Sequence, residues 1–142
     1  MNKSKKEKQT IGELWRKFGF FYDVRDEERL WFLAGSRDGL LRFYDILMCY
    51  ARDPRYNEIS AHEHYGPYMY LEIMTWTKPG IDGHSIHGTK DDIQRLATIF
   101  MSKLRETPTG YHFSIGSDYA TDSEYSVFVE VKEDNFDPAS LI

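Results

Sequence analysis

Two histidines flank a glutamate in the segment His62-Glu63-His64. On a β-strand, the alternation of side chains places both imidazoles on one face of a sheet. His87 and His112 fall on predicted strands with the same outward parity, and Glu72 adds a carboxylate. Because imidazole and carboxylate groups bind zinc and transfer protons, these residues are candidates for a zinc site or for acid–base catalysis. Their spacing matches no established zinc signature such as H-E-x-x-H.

Other catalytic signatures are absent from the sequence. It contains no G-x-G-x-x-G, P-loop or G-x-S-x-G motif. Lys78-Pro79-Gly80 and Ile81-Asp82-Gly83 have the composition of turns. Cys49 is the only cysteine, which excludes an intrachain disulfide, and its helical context predicts a small core residue.

Aromatic residues share the predicted outward face with the histidines. Tyrosine, tryptophan and phenylalanine on an uncovered sheet face are typical of a protein–protein interface, either in a homodimer or with a foreign partner. This interpretation is preferred, and a metal-dependent or acid–base enzyme is the alternative. A third interpretation is that the N-terminal helix and the C-terminal tail cover these aromatics as a second small core. The candidate binding residues are His62, His64, Tyr68, Tyr70, Glu72, Trp76, His87, His112, Phe128 and Glu130.

An internal repeat supplies the elements that must position these side chains. Leu33–Asp53 aligns with Ile86–Glu106 at an offset of 53 residues, with six identical pairs. Each segment reads as an amphipathic helix, with Ser36 and Thr89 as N-caps. The sequence therefore predicts two equivalent helices.

Strands flank both helices and give a β-α-β-β unit twice. We expect one largely antiparallel six-stranded sheet with both helices on one face, in an α+β fold. Residues of inward parity should contact the helices, including Ile59, Ala61, Met69, Leu71 and Ile73. The predicted strands are Arg29–Ala34, Glu58–His62, Tyr68–Trp76, Ile81–His87, Tyr111–Ser114 and Tyr125–Lys132.

Segments outside the repeat complete the predicted organisation. Thr10–Phe18 predicts an extra amphipathic helix, and Asn135–Ile142 predicts a tail or a docked strap. We expect a disordered basic tail over residues 1–9 and a single domain over 10–142, with repeat halves at about 28–76 and 81–132. The aromatic segment Trp15–Tyr22 is a further functional candidate, because the repeat does not explain it.

Charge and composition narrow the classes of partner. The 142 residues carry a net charge of −5, but residues 1–8 hold four lysines and one glutamate, so the remainder has 14 basic and 22 acidic side chains. An acidic body argues against a nucleic acid as ligand. No apolar run approaches the roughly 20 residues of a membrane span, and no signal peptide is recognisable. A cytoplasmic protein is the resulting expectation.

The segments IHGTKDDIQRLATIFMSKL and HEHYGPYMYLEI resemble small bacterial proteins of the toxin-immunity type and their uncharacterised relatives. In those proteins an I-x-G-x-x-x-D-L-x-x-L-A segment opens a helix beside an antiparallel sheet. The resemblance covers about residues 59–131. It implies an acidic binding protein that blocks a toxin enzyme, and it transfers no functional residue.

Overall fold

The computed structural model describes the backbone of residues 2–142 and the side chains of residues 10–142. Three α-helices are α1 (Asn2–Phe18), α2 (Arg37–Arg52) and α3 (Lys90–Glu106). Eight strands are β1 (Phe21–Arg25), β2 (Leu30–Ser36), β3 (His62–Tyr65), β4 (Leu71–Thr75), β5 (Gly80–Ile81), β6 (Ile86–Gly88), β7 (His112–Ile115) and β8 (Ser126–Lys132). Short 3-10 turns are Pro54–Tyr56, Pro67–Met69 and Pro138–Leu141. Within the described part of the chain, no helix combines the length and apolar character that crossing a membrane requires.

The strands form two four-stranded sheets. Sheet 1 has the order β1-β2-β8-β7, and sheet 2 has the order β3-β4-β6-β5. The central pairs β2–β8 and β4–β6 are parallel, and the outer pairs are antiparallel. The α+β class is therefore confirmed, whereas the expected single six-stranded sheet is wrong, because the strands form two mixed sheets.

The two strands that the sequence does not predict separately are β1 and β5. Both are short and pair as hairpins at a sheet edge. β1 begins in the apolar segment that follows Gly19, and it pairs with β2. β5 and β6 divide the predicted strand Ile81–His87, because the Asp82 carboxylate accepts the backbone N–H groups of His84 and Ser85, each at 2.8 Å. This turn reverses the chain and pairs β5 with β6.

The connectivity is the same before and after the connection between β4 and β5. Each helix follows a hairpin and precedes a hairpin, and each sheet combines the hairpin before one helix with the hairpin after the other. This arrangement is what an internal duplication would produce. The superposition of the two halves and the domain boundaries stay predictions.

The helix starts have the predicted caps. The Ser36 hydroxyl accepts the N–H of Gly39 at 3.1 Å. Thr89 forms a capping box with Asp92, in which each side chain accepts the other residue's backbone N–H. These bonds satisfy N–H groups that have no partner inside the helix.

Equivalent cations link the two helices end to end. Arg37, at the start of α2, donates to the carbonyl oxygens of Leu104 and Thr107 at the end of α3. Lys90, at the start of α3, donates to the carbonyl oxygen of Asp53 at 2.9 Å, at the end of α2. The helices are therefore antiparallel, and each cation satisfies terminal carbonyl groups where the partial charge of the other helix is negative.

Most residues that strand alternation predicts to face the helices are buried. Ile59 and Met69 are exceptions, with 51% and 55% of their surfaces exposed, because both lie outside the strands. Cys49 is also exposed, so its prediction as a core residue is wrong. The strand residues buried as expected are Leu33, Leu71, Ile73, Ile86, Phe113, Ile115, Val127, Val129 and Val131.

The terminal segments pack together beside sheet 1. Trp15 is 2% exposed and lies 4.9 Å from the Phe21 ring. Arg16 forms an ion pair with Asp137 at 3.1 Å, so the C-terminal segment is a docked strap. Helix α1 begins at Asn2 rather than at the predicted Thr10. The expected disorder over residues 1–9 concerns residues whose side chains lie outside the described part of the chain, and it stays a prediction.

Phe100→Ala should lower the free energy of unfolding by about 3–5 kcal/mol, because it removes a buried ring and leaves a cavity. Phe100 has no exposed surface and meets Phe43 and Phe113 edge to face. Urea denaturation followed by circular dichroism measures the change. Gln94→Ala, on the exposed face of the same helix, is the control and should cost under about 0.5 kcal/mol. Equal losses in the two variants would contradict this assignment of the core.

Candidate functional site

The structure separates the ten candidate residues into three groups. Those on the strands of sheet 2 are His62, His64, Glu72 and His87. Those on sheet 1 are His112, Phe128 and Glu130. Tyr68 and Tyr70 lie in the turn before β4, and Trp76 follows β4. The single six-stranded sheet that was expected to carry all ten residues therefore does not form.

On sheet 1 the aromatic side chains are largely covered. Phe32 is only 4% exposed, and the Arg25 guanidinium lies 4.0 Å from the centre of its ring. Phe128 stacks on Phe32 and on His112. Phe32 is therefore buried in this cluster, whereas Phe128 is half-buried and His112 is exposed.

On sheet 2 three of the candidates form a compact cluster. β3 and β4 pair antiparallel, with His64 opposite Glu72 and His62 opposite Met74. One ligand atom from each of His62, His64 and Glu72 lies within 4.8 Å of the other two. His64 Nε2 is already 3.4 Å from Glu72 Oε1. Two imidazoles and one carboxylate are a donor set that suits zinc.

Both imidazoles of the cluster are oriented by backbone carbonyl groups. His62 Nδ1 lies 3.0 Å from the Ser60 oxygen, and His64 Nδ1 lies 3.1 Å from the Met69 oxygen. A carbonyl oxygen only accepts, so each Nδ1 carries the proton. In the neutral imidazole, Nε2 then has the free lone pair that a metal ion or a proton would take.

The two carbonyl groups belong to residues with unusual backbone conformations. Ser60 has φ of 74° and Met69 has φ of 60°, and Tyr68 before it has φ of 66°. A non-glycine residue in the left-handed region costs on the order of 1–3 kcal/mol, and such residues concentrate at functional sites. Two of these three strained residues, Ser60 and Met69, orient the imidazoles of the site.

A tyrosine from sheet 1 holds the turn that carries Met69. The Tyr22 hydroxyl lies within hydrogen-bonding distance of the carbonyl oxygens of Tyr65 and Pro67 and accepts the N–H of Tyr70 at 3.2 Å. Burial raises the pKa of Tyr22 above its ordinary value. Gly66 allows this approach, because a Cβ there would lie 2.5 Å from the Tyr22 ring and its φ is 78°. The turn is therefore fixed from the neighbouring sheet.

Glu63, between the two histidines, points to the opposite side of β3. It accepts the Tyr56 hydroxyl at 2.8 Å and the backbone N–H of His64 at 3.0 Å. The hydrogen bond from Tyr56 is the main cause that holds the pKa of Glu63 below its usual value, and the bond from the His64 amide is the second cause. Glu63 therefore anchors the strand, and it does not belong to the cluster.

The other two candidate histidines lie apart from the cluster. His87 is opposite Met74 on the far side of β4, its Nδ1 lies 3.0 Å from the Ser85 hydroxyl, and a Cβ at Gly80 would lie 2.5 Å from its Nε2. His112 is on sheet 1. The structure thus brings together two of the four candidate histidines, together with Glu72.

A cavity of about 350 Å³ opens beside the cluster. His84, in the turn between β5 and β6, lines this cavity together with His64 and Glu72. The predicted strand Ile81–His87 included His84 but left it off the outward face. In the structure His84 lies in the turn between β5 and β6, which brings it close to β4. The other lining residues are Val24, Trp31, Met69, Tyr70 and Gly83.

Two further cavities adjoin the turn Pro67–Met69. Tyr70 lines both the first cavity and a second one of about 360 Å³, which Trp15, Phe21 and Tyr22 also line. Tyr68 lines the second cavity and a third one beside Leu14 and Phe18. The aromatic segment Trp15–Tyr22 therefore contributes to the same surface as Tyr68 and Tyr70.

Tyr22→Phe should lower the free energy of unfolding by about 1–3 kcal/mol, because buried polar groups of the turn lose their partner. The amide of Tyr70, which donates to the Tyr22 hydroxyl, should also exchange with solvent faster. Chemical denaturation and hydrogen exchange measure the two effects. Tyr111→Phe is the control, since Tyr111 is 65% exposed. Unchanged exchange at Tyr70 would show that Tyr22 does not hold the turn.

Known proteins supply no further constraint on the site. No protein-family model matches the chain, no curated protein is significantly similar to it, and no solved structure matches its fold. The interpretation of the site therefore depends on its own geometry and chemistry.

Proposed function

We propose that this chain is a non-enzymatic protein-binding module. Its contact surface is the aromatic turn, defined as Tyr68, Met69 and Tyr70, together with the adjoining outward side chains of sheet 2. The observation that carries the proposal is the exposure of these three consecutive large side chains, at 51%, 55% and 66%. Contiguous exposed apolar groups of this kind are typical of protein interfaces.

The aromatic turn is suited to binding because it is held in place before a partner arrives. Tyr22 fixes its backbone, and the Tyr68 and Tyr70 rings lie 5.8 Å apart in a stacked arrangement. A surface that is already ordered loses less conformational entropy on association. The cavities on either side of Tyr68 and Tyr70 offer space for partner side chains, and tyrosine anchors often dominate the binding energy of interfaces.

The partner that we propose is a bacterial toxin enzyme with a basic surface. The resemblance to toxin-immunity proteins suggests the toxin, and the excess of acidic side chains outside residues 1–8 favours a partner of opposite charge. We propose the cytoplasm as the site of the encounter, because a chain with one cysteine has no need of an oxidising compartment. The acidic body also favours a protein over a nucleic acid.

A metal-dependent or acid–base enzyme is the second candidate function. It has in its favour the cluster of His62, His64 and Glu72, whose ligand atoms lie within 4.8 Å of one another.

Tyr70→Ala should weaken the complex with the partner by at least about 30-fold, which corresponds to the roughly 2 kcal/mol of an interface hot spot. The partner is first identified by mass spectrometry after co-purification, then produced alone and titrated calorimetrically. Tyr111→Ala is the matched control, because Tyr111 and Tyr70 are 65% and 66% exposed, and Tyr111 precedes β7 of sheet 1 whereas Tyr70 precedes β4 of sheet 2. Its affinity should equal that of the unmodified protein.

A toxin partner should also lose its enzymatic activity when mixed with one equivalent of the protein. Equal affinities for the Tyr70 and Tyr111 variants would overturn the assignment of the surface. A dimer in light scattering that Tyr70→Ala converts to a monomer would show that the surface binds a second copy of the chain instead.

A further inference from the structure

We infer that His62, His64 and Glu72 form a zinc site with one open coordination position. Nε2 of each histidine and one carboxylate oxygen of Glu72 are the proposed ligand atoms. The inference does not rest on the binding of a partner protein. It follows from the orientation of the ligands, their separations and the cavity beside them.

The orientation of the imidazoles is the first argument. Histidines that bind metal ions generally donate their second ring N–H to a carbonyl or carboxylate group, which fixes the tautomer and the ring direction. Both imidazoles of this cluster have such a partner, in the Ser60 and Met69 carbonyl groups. Two surface histidines on one strand have no structural need for matching bonds of this kind, since water satisfies exposed ring nitrogens.

The separations are the second argument. In a tetrahedral site with Zn–N distances of about 2.0 Å, ligand atoms lie about 3.3 Å apart. The 3.4 Å between His64 Nε2 and Glu72 Oε1 already has this value. One ring nitrogen of each histidine and one Glu72 oxygen lie within 4.8 Å of one another. The 41% exposed His64 side chain and the exposed His62 have room for the side-chain rotation that brings the set to tetrahedral separations.

The rigidity of the backbone behind the ligands is the third argument. β3 and β4 are paired in register, and Glu63 holds β3 from the other side through Tyr56 and the His64 amide. Ser60 and Met69 keep left-handed conformations that cost free energy. In these conformations their carbonyl oxygens accept the imidazole N–H groups of His62 and His64. Ligands on strands are held more precisely than ligands on loops.

The chemistry of the donors selects the metal ion. Imidazole disfavours calcium and magnesium, which prefer oxygen ligands, and suits zinc and its neighbours among the transition metals. Three protein ligands leave the fourth tetrahedral position of zinc for water or an anionic oxygen, as in catalytic rather than structural zinc sites. The ligands His64 and Glu72 line the cavity of about 350 Å³, so we assign the open position to that cavity. His84 and Tyr70 also line this cavity. We assign them to contact an anion that is bound at the open position.

Calorimetric titration of untagged, chelator-treated protein with Zn²⁺ tests the inference. We expect one ion per chain. His62→Ala, His64→Ala and Glu72→Gln should each weaken binding by more than about 100-fold, since losing an outer-shell partner alone typically costs 10–100-fold. His87→Ala and His112→Ala are the matched controls and should bind zinc like the unmodified protein. Circular dichroism of each variant confirms that it has folded.

Substitution with Co²⁺ tests the open position. A site with three protein ligands and water should give the visible absorption of four-coordinate Co²⁺, and added acetate or azide should shift that spectrum. An absence of zinc binding, or equal losses in the cluster variants and the two controls, would overturn the site. A Co²⁺ spectrum that no anion changes would overturn the open position. The zinc titration needs no partner protein, and partner binding can be measured on chelator-treated protein, so failure of the partner-binding proposal is distinguishable from failure of the metal site.

Discussion

The parallel pairing of β2 with β8 and of β4 with β6 is the constraint on which the rest of the structure depends. Each pair joins a hairpin that precedes the connection between β4 and β5 to a hairpin that follows it. The long segment between β2 and β8 contains both α2 and α3, whereas the segment between β4 and β6 is short and contains β5. Neither half of the chain contains a complete sheet, so the two halves have to fold onto one shared core.

This exchange of hairpins also builds the candidate site from both sheets. Tyr22 comes from sheet 1, yet its hydroxyl fixes the turn that precedes β4 in sheet 2. Trp31 of sheet 1 likewise donates to the Asp82 carbonyl at 2.7 Å, beside the turn that carries His84. Strained residues such as Met69 persist only where their surroundings over-determine them. The contact between the sheets supplies that support.

The sequence contained enough information for the local features but not for the pairing of strands. Helix caps and periods depend on near neighbours, so α2, α3 and the caps Ser36 and Thr89 were predictable. Strand alternation correctly placed Leu71 and Val129 inward. β8, the parallel partner of β2, lies far away from it in the chain, so no local pattern could show that two sheets form. That error put His112 and Glu130 on one face with His62, whereas the proximity of His62, His64 and Glu72 needed only a hairpin.

The aromatic turn before β4 gives the outward side of sheet 2 two distinct properties, which are apolar contact area and the orientation of a potential metal ligand. The Met69 side chain is 55% exposed on the aromatic surface, while its carbonyl group points to His64 Nδ1 at 3.1 Å. The exposed side chains of the turn provide apolar contact area, and its backbone orients a potential ligand. Substituting the Tyr68 or Tyr70 side chain removes contact area and leaves the carbonyl group in place. Changing Gly66 or Tyr22 instead moves the backbone, so both properties should respond together, because one strained turn supports both.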